Sequence, residues 1–188
     1  PPQGGVLVLG LGNRRMTADA LGDRVVSGIL VTRHMQEERL RSVCAVAPGV
    51  LGITGVETAE LALGLAERVK PSAVIVVDAL AAMETNHIAT TIQLTDTGIV
   101  PGSGVGNSRQ EFSQRTLGVP VVAVGVPTVM DAAGALQPAL TRDMPQGLLV
   151  TLRDVDARVR EMGRLVGYGC DLALHRGLSL AEIPTFLS

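Results

Sequence analysis

Aromatic residues are almost missing from this chain: among 188 residues there is no tryptophan, one tyrosine and two phenylalanines. Stacking of single-stranded nucleic acid bases needs such side chains, and a net charge of −2 with a pI near 5.9 leaves no basic footprint for a phosphate backbone. Nucleic acid is not an expected partner. Cysteines number two, Cys44 and Cys170. Without metal-ligand spacing these thiols are expected to stay reduced in a cytosolic compartment. The apolar run at 6–11 is too short to span a bilayer and lacks a basic leader, so neither a membrane helix nor a signal peptide is read. Charged residues make up 18%, below the usual quarter, which suggests that another subunit covers part of the exterior; a homo-oligomer is expected.

What is present is aliphatic. Hydrophobic residues reach 46%, so the core must be built from Val, Leu, Ala and Ile, and the length suits one domain, 1–188. Val- and Ile-rich runs near 6–11, 43–47, 73–78, 90–95 and 121–126 read as strands. Segments of helical period separate them, the pattern of βαβ units with a largely parallel sheet. One helix is expected over 19–33 with Leu21, Val25, Val26 and Ile29 inward. A second, over 57–69, repeats Leu61, Leu65 and Val69, with Thr54 or Thr58 as cap. A last helix is expected from Asp154 to His175, burying Val155, Val159, Met162, Leu165, Val166 and Leu172. Between them, Gly134, Pro138, Pro145 and Gly147 punctuate a surface connection. Right-handed crossovers place helices on both faces, giving an α/β three-layer sandwich.

Two aspartates follow strand-like runs: Asp19, in the turn after VLVLGLG, and Asp78, closing AVIVVDAL. In an open parallel sheet both would converge on the crevice outside the carboxyl ends of the strands. Two neighbouring carboxylates push their pKa values apart, which leaves one protonated and one ionised near neutral pH, an acid/base pair. The plainer alternative for Asp19 is an N-cap, a task Thr17 could share; for Asp78 it is a backbone-bonded strand end, although the apolar neighbours make an idle charge costly there.

Other motifs carry less. GLGN at 10–13 is an incomplete dinucleotide fingerprint, since Arg15 stands at its third glycine, and it reads as a tight turn aiming residues 13–19 over the sheet edge. LTDTGIVPGSGVGN (94–107) follows a strand with Asp96, Gly102 and Ser103 and could present backbone amides to an extended peptide, or be a turn packed on the sheet. Thr32, Arg33 and His34 read as the polar, solvated end of a helix. Asp131 reads as a strand-end cap. Ser103 lacks the strand–turn–helix elbow of a serine nucleophile. A metal site would need a third ligand in register. Only His87 could reach, and there is no HExxH or paired-Cys spacing, so no metal or cofactor is expected.

The segments VLVLGLGNRRMTADALGDRVVSGILVTRH, VCAVAPGVLGITGVETAELALG, VIVVDALAA, TTIQLTDTGIVPGSGVGN and LGVPVVAVGVPTVMDA resemble, in the same order, the germination protease family of spore-forming bacteria. The resemblance implies an atypical aspartic endopeptidase that degrades small acid-soluble spore proteins in the forespore or spore core, with its catalytic aspartates at Asp19 and Asp78. It also implies a fold like that of the hydrogenase-maturation proteases (phosphorylase/hydrolase-like). The family's usual segment before the first strand has no counterpart ahead of PPQGG, so zymogen control is not supported, and its long insertion shrinks to roughly 133–149. Ala18 and Asp23 stand where the family has prolines, Met83 where it has an arginine and Val100 where it has a histidine. The missing arginine deprives Asp78 of one counter-ion, and Asp23 adds an acid one helical turn from Asp19. A catalytically silent or regulatory binding module of the same fold, and a metal-dependent maturation-type peptidase, are the competing expectations.

Overall fold

The computed structural model describes residues 4–35, 37, 39–106, 109–135 and 147–186. Pro138 and Pro145 lie outside the described residues. Strands β1 (Val6–Gly10), β2 (Val43–Val46), β3 (Ala73–Ala82), β4 (Gln93–Thr95), β5 (Val121–Asp131) and β6 (Leu149–Val150) form one sheet. Its order is β2-β1-β3-β5-β4, with β6 also pairing β5. The four strands from β2 to β5 are parallel, while β4 and β6 run antiparallel to β5. The five expected strands are all present. The two-residue β6 was not expected, since it is too short to leave a period in the sequence.

Alternation along β1 sends Val6 and Val8 to one face and Leu7 and Leu9 to the other. On the first face lie α1 (Leu21–Gly28) and α6 (Val155–Leu174). The second is covered by α3 (Thr58–Val69) and α4 (Gln114–Leu117), with Phe112 filling the space beside them. The result is the expected three-layer α/β sandwich with a mostly parallel sheet. Three further four-residue helices, α2 (Leu51–Thr54), α5 (Ala132–Ala135) and α7 (Ile183–Phe186), and three 3-10 turns make up the remaining elements among the described residues.

Several local expectations need correction. The helix expected over 19–33 is only α1: Ile29 is extended (φ −85°, ψ 144°) and buried. The chain beyond it is held by the first strands instead. Thr32 is buried, donates its hydroxyl to the Arg41 carbonyl and accepts the Val43 N–H, so it is not the solvated end of a helix. The cap of α3 is Glu57 rather than Thr54 or Thr58, and the Glu60 carboxylate reaches back to the Glu57 N–H in a capping box. The buried stripe of α3 is Ala59, Ala62 and Ala66. Leu61, Leu65 and Val69 are only half-buried, because small residues let the helix sit close to the sheet. In α6, Val159 and Val166 are buried as expected, but Leu165 and Leu172 face solvent, and Gly163, Gly167, Cys170 and Asp171 occupy the inner face.

Candidate active site

The sheet is not flush at its carboxyl edge. β1 ends at Gly10, paired with Val77, whereas β3 and β5 run on together to Ala82 and Met130. Asp78 is therefore the first residue of β3 beyond the end of β1, and it does not close its strand as expected. It shares the α3 face with Val74 and Val76. Its partner on β5 is Gly125, and a side chain there would come within 2.3 Å of Leu80 Cδ1. Leu80 thus lies over the glycine, an apolar neighbour two residues from Asp78. At 4% exposure the Asp78 carboxyl is almost shut off from water.

Asp19 arrives from the other side of the gap. After β1, the chain turns through Asn13 to Met16 and forms a 3-10 turn, Thr17–Asp19, that packs on β3 and β5. The Asp19 Oδ2 accepts the Asn13 N–H at 2.8 Å, so the residue closes its own loop and does not cap α1, whose N-cap is Ala20 without any side-chain bond. Gly12 makes this possible. Its φ is +103°, a region that costs a side-chain-bearing residue dearly. A Cβ there would stand 2.1 Å from the Asp19 carbonyl oxygen and 2.9 Å from its Oδ1.

Electrostatics couple the two acids. Burial, then the charge of Asp19, push the Asp78 pKa up to about 7, against a smaller pull downward from the Ala79 N–H. Asp19 is also raised, by burial, with the Asn13 N–H opposing. No ion pair among the described residues involves either carboxylate. Met83, where the resemblance led us to look for an arginine, points into solvent at 90% exposure.

The remaining candidates separate. Gln93, not Asp96, stands level with Gly125 and hence with Asp78. Asp96 follows the last residue of β4 as expected, but the antiparallel run of that strand carries it about 10 Å back toward the amino edge, where it is exposed. The chain then returns. Gly102 and Ser103 open the 3-10 turn Ser103–Val105, and Gly104 packs so closely on β3 that a Cβ would lie 2.9 Å from Ala81 Cβ. Of the three histidines, His34 sits in an exposed turn, His87 in the 3-10 turn Thr85–His87 after β3, and His175 is fully buried at the end of α6. Among the described residues no group of three or more His, Cys, Asp or Glu side chains is placed to hold a metal ion. Asp131 accepts the Ala133 N–H as a strand-end cap does. Sequence reasoning missed Leu80 and Gly125. Gly12 and Asn13 had a signal, since both lie inside the recognised GLGN turn.

A sequence model of the family described as germination protease matches residues 3–143. The chain belongs to that family. The germination protease of Clostridium acetobutylicum is 40% identical over 226 residues, covering 97% of this chain and 69% of that protein. That of Bacillus cytotoxicus is 54% identical over 133 residues, 67% of this chain and 36% of its own length. Family members are peptidases, so the chain is a hydrolase of peptide bonds of the spore-germination type. Among solved structures, the 5'-methylthioadenosine nucleosidase of Arabidopsis thaliana aligns with 97% of this chain and all of its own at TM-score 0.51 and 12% identity, a likeness of fold alone. A NiFe hydrogenase maturation protease from Thermococcus kodakarensis aligns with 87% of this chain and 90% of its own at TM-score 0.47 and 17% identity, too loose a likeness to bear on chemistry. No helix of the described residues is long and apolar enough to cross a membrane.

Proposed function

We propose that the chain is an endopeptidase in which Asp19 and Asp78 work as one acid/base unit on small acid-soluble spore proteins, in the forespore or spore core. The observation that carries this reading is the depth of Asp78 beside a second acid, with its pKa pushed up to about 7. In such a pair one proton is shared between two carboxyl groups. Asp78, the more deeply buried, holds it and donates it to the scissile carbonyl or the leaving amine. Asp19, ionised, takes a proton from the attacking water, whose oxygen forms the new bond to the carbonyl carbon as the C–N bond breaks. No metal or cofactor takes part. Gly102 and Ser103, on the turn that packs against the overhanging end of β3, are the residues we assign to contact with the substrate backbone. A homo-oligomer accounts for side chains such as Leu94, 70% exposed on the edge strand β4.

Incubation with a purified small acid-soluble spore protein tests the reading. Internal cleavage, seen as two complementary masses, is expected. A folded enzyme that binds the substrate and leaves it intact would make this chain a binding module.

A further inference from the structure

On the face opposite α3, helices α1 and α6 flank an open surface groove of about 600 Å³ lined by the exposed side chains of Arg24, Ala157, Arg160, Glu161 and Arg164. The close approach of the helices depends on Gly163, where a Cβ would lie 2.6 Å from Arg24 Cβ. Arg160 and Arg164 stand one turn apart on the same side of α6. Arg160 is engaged with Asp156 at 3.0 Å, an exposed pair of small worth. Arg24 and Arg164 make no ion pair among the described residues. The two helices that flank the groove also pack against the Thr17–Asp19 turn, and α1 begins two residues after Asp19. On the turn before Asp19, Arg14 and Arg15 are also exposed.

A band of arginines on a chain of net charge −2 is not a general property of its surface. Guanidinium groups grip carboxylates by paired, charge-assisted hydrogen bonds. We propose that this groove is an exosite for an acidic stretch of the polypeptide substrate, held by Arg24, Arg160 and Arg164 and guided toward Asp19 by Arg14 and Arg15. A short acidic segment suits the groove better than nucleic acid does. Glu161, Asp156 and Asp23 flank the arginines, and a long polyanion would meet them and the net negative charge. The proposal rests on the endopeptidase reading, but it is tested by binding, which needs no turnover.

The experiment measures fluorescence anisotropy of a labelled glutamate-rich peptide, and of its Glu→Gln counterpart, on the full chain carrying Asp78→Asn so that neither is consumed. The acidic peptide should bind about tenfold more tightly at low ionic strength, and the preference should shrink as salt rises. Arg164→Gln and Arg24→Gln should each weaken it about threefold without altering the neutral peptide. Arg164→Gln, at an exposed position of α6, stands in if Arg24→Gln disturbs packing at Gly163. Equal affinity for the two peptides, unchanged affinity in both variants, or tighter binding of a duplex oligonucleotide would each overturn the proposal. Loss of the aspartate mechanism alone would leave these binding constants as they are.

Discussion

The molecule buries two aspartates in unlike surroundings. Asp78 sits on the overhang of β3 at the carboxyl edge. Asp171 lies on the inner face of α6 toward the opposite edge, fully buried, where its Oδ1 accepts the Leu30 N–H at 3.0 Å. Burial raises both, Asp78 to about 7 and Asp171 to about 6. A raised pKa alone would make both candidate catalysts. Geometry distinguishes them: Asp78 has a second acid beside it at the carboxyl edge of the sheet, whereas Asp171 accepts the Leu30 N–H and so pins the chain after α1 to the last helix, close to His175, whose pKa burial lowers. The lesson is that desolvation marks depth, and only a neighbouring charge at the carboxyl edge of the sheet marks a site.

That contrast breaks most sharply under Asn substitution. Asp78→Asn should reduce cleavage of a spore protein on the order of 10⁴-fold, the scale of removing one member of a catalytic unit. Asp171→Asn, which keeps the acceptor for Leu30, should stay within about threefold of wild type in the same assay. Next in size is Gly12→Ala. The displaced Asp19 backbone should lower kcat on the order of 10²-fold, and positive φ should cost about 1 to 3 kcal/mol in a denaturant titration. Stability against pH sharpens the comparison further. An acid whose folded pKa lies above its unfolded value contributes stability that is complete below the unfolded pKa and lost as pH rises through the folded one. The wild type should therefore lose stability between roughly pH 4 and the pKa of Asp78 near 7. Asp78→Asn and Asp171→Asn should each flatten part of that slope, the former over the wider window, as melting temperatures across the range will show. The smallest effect expected is that of a chelator: EDTA should leave cleavage unchanged, and loss of activity restored by one metal would point to a maturation-type mechanism.

Much of this arrangement was legible in the residues. The parallel strands announced themselves by unbroken Val and Ile runs, and α6 was bounded by Asp154 and His175 as expected. The aspartates stood out because each followed a strand-like apolar run. Three things were not legible. The direction of β4 depends on which strand it joins, and that pairing decides whether Asp96 reaches the crevice. The end of α1 at Gly28 is set by the contacts of Thr32 and Leu30 with distant residues, which outweigh helical period. The unequal lengths of β1 and β3, which turn Asp78 from a strand end into an overhanging ledge, follow from pairing with β5 and leave no local mark.

The most direct test of the central claim compares kcat/KM for a purified small acid-soluble spore protein among Asp19→Asn, Asp78→Asn and the double variant, with thermal melts to show that each is folded. If the two carboxyl groups act as one unit, each single change should fall as far as the double, because members of such a unit are not additive. Retained turnover in either folded single variant, or losses that simply multiply, would contradict it.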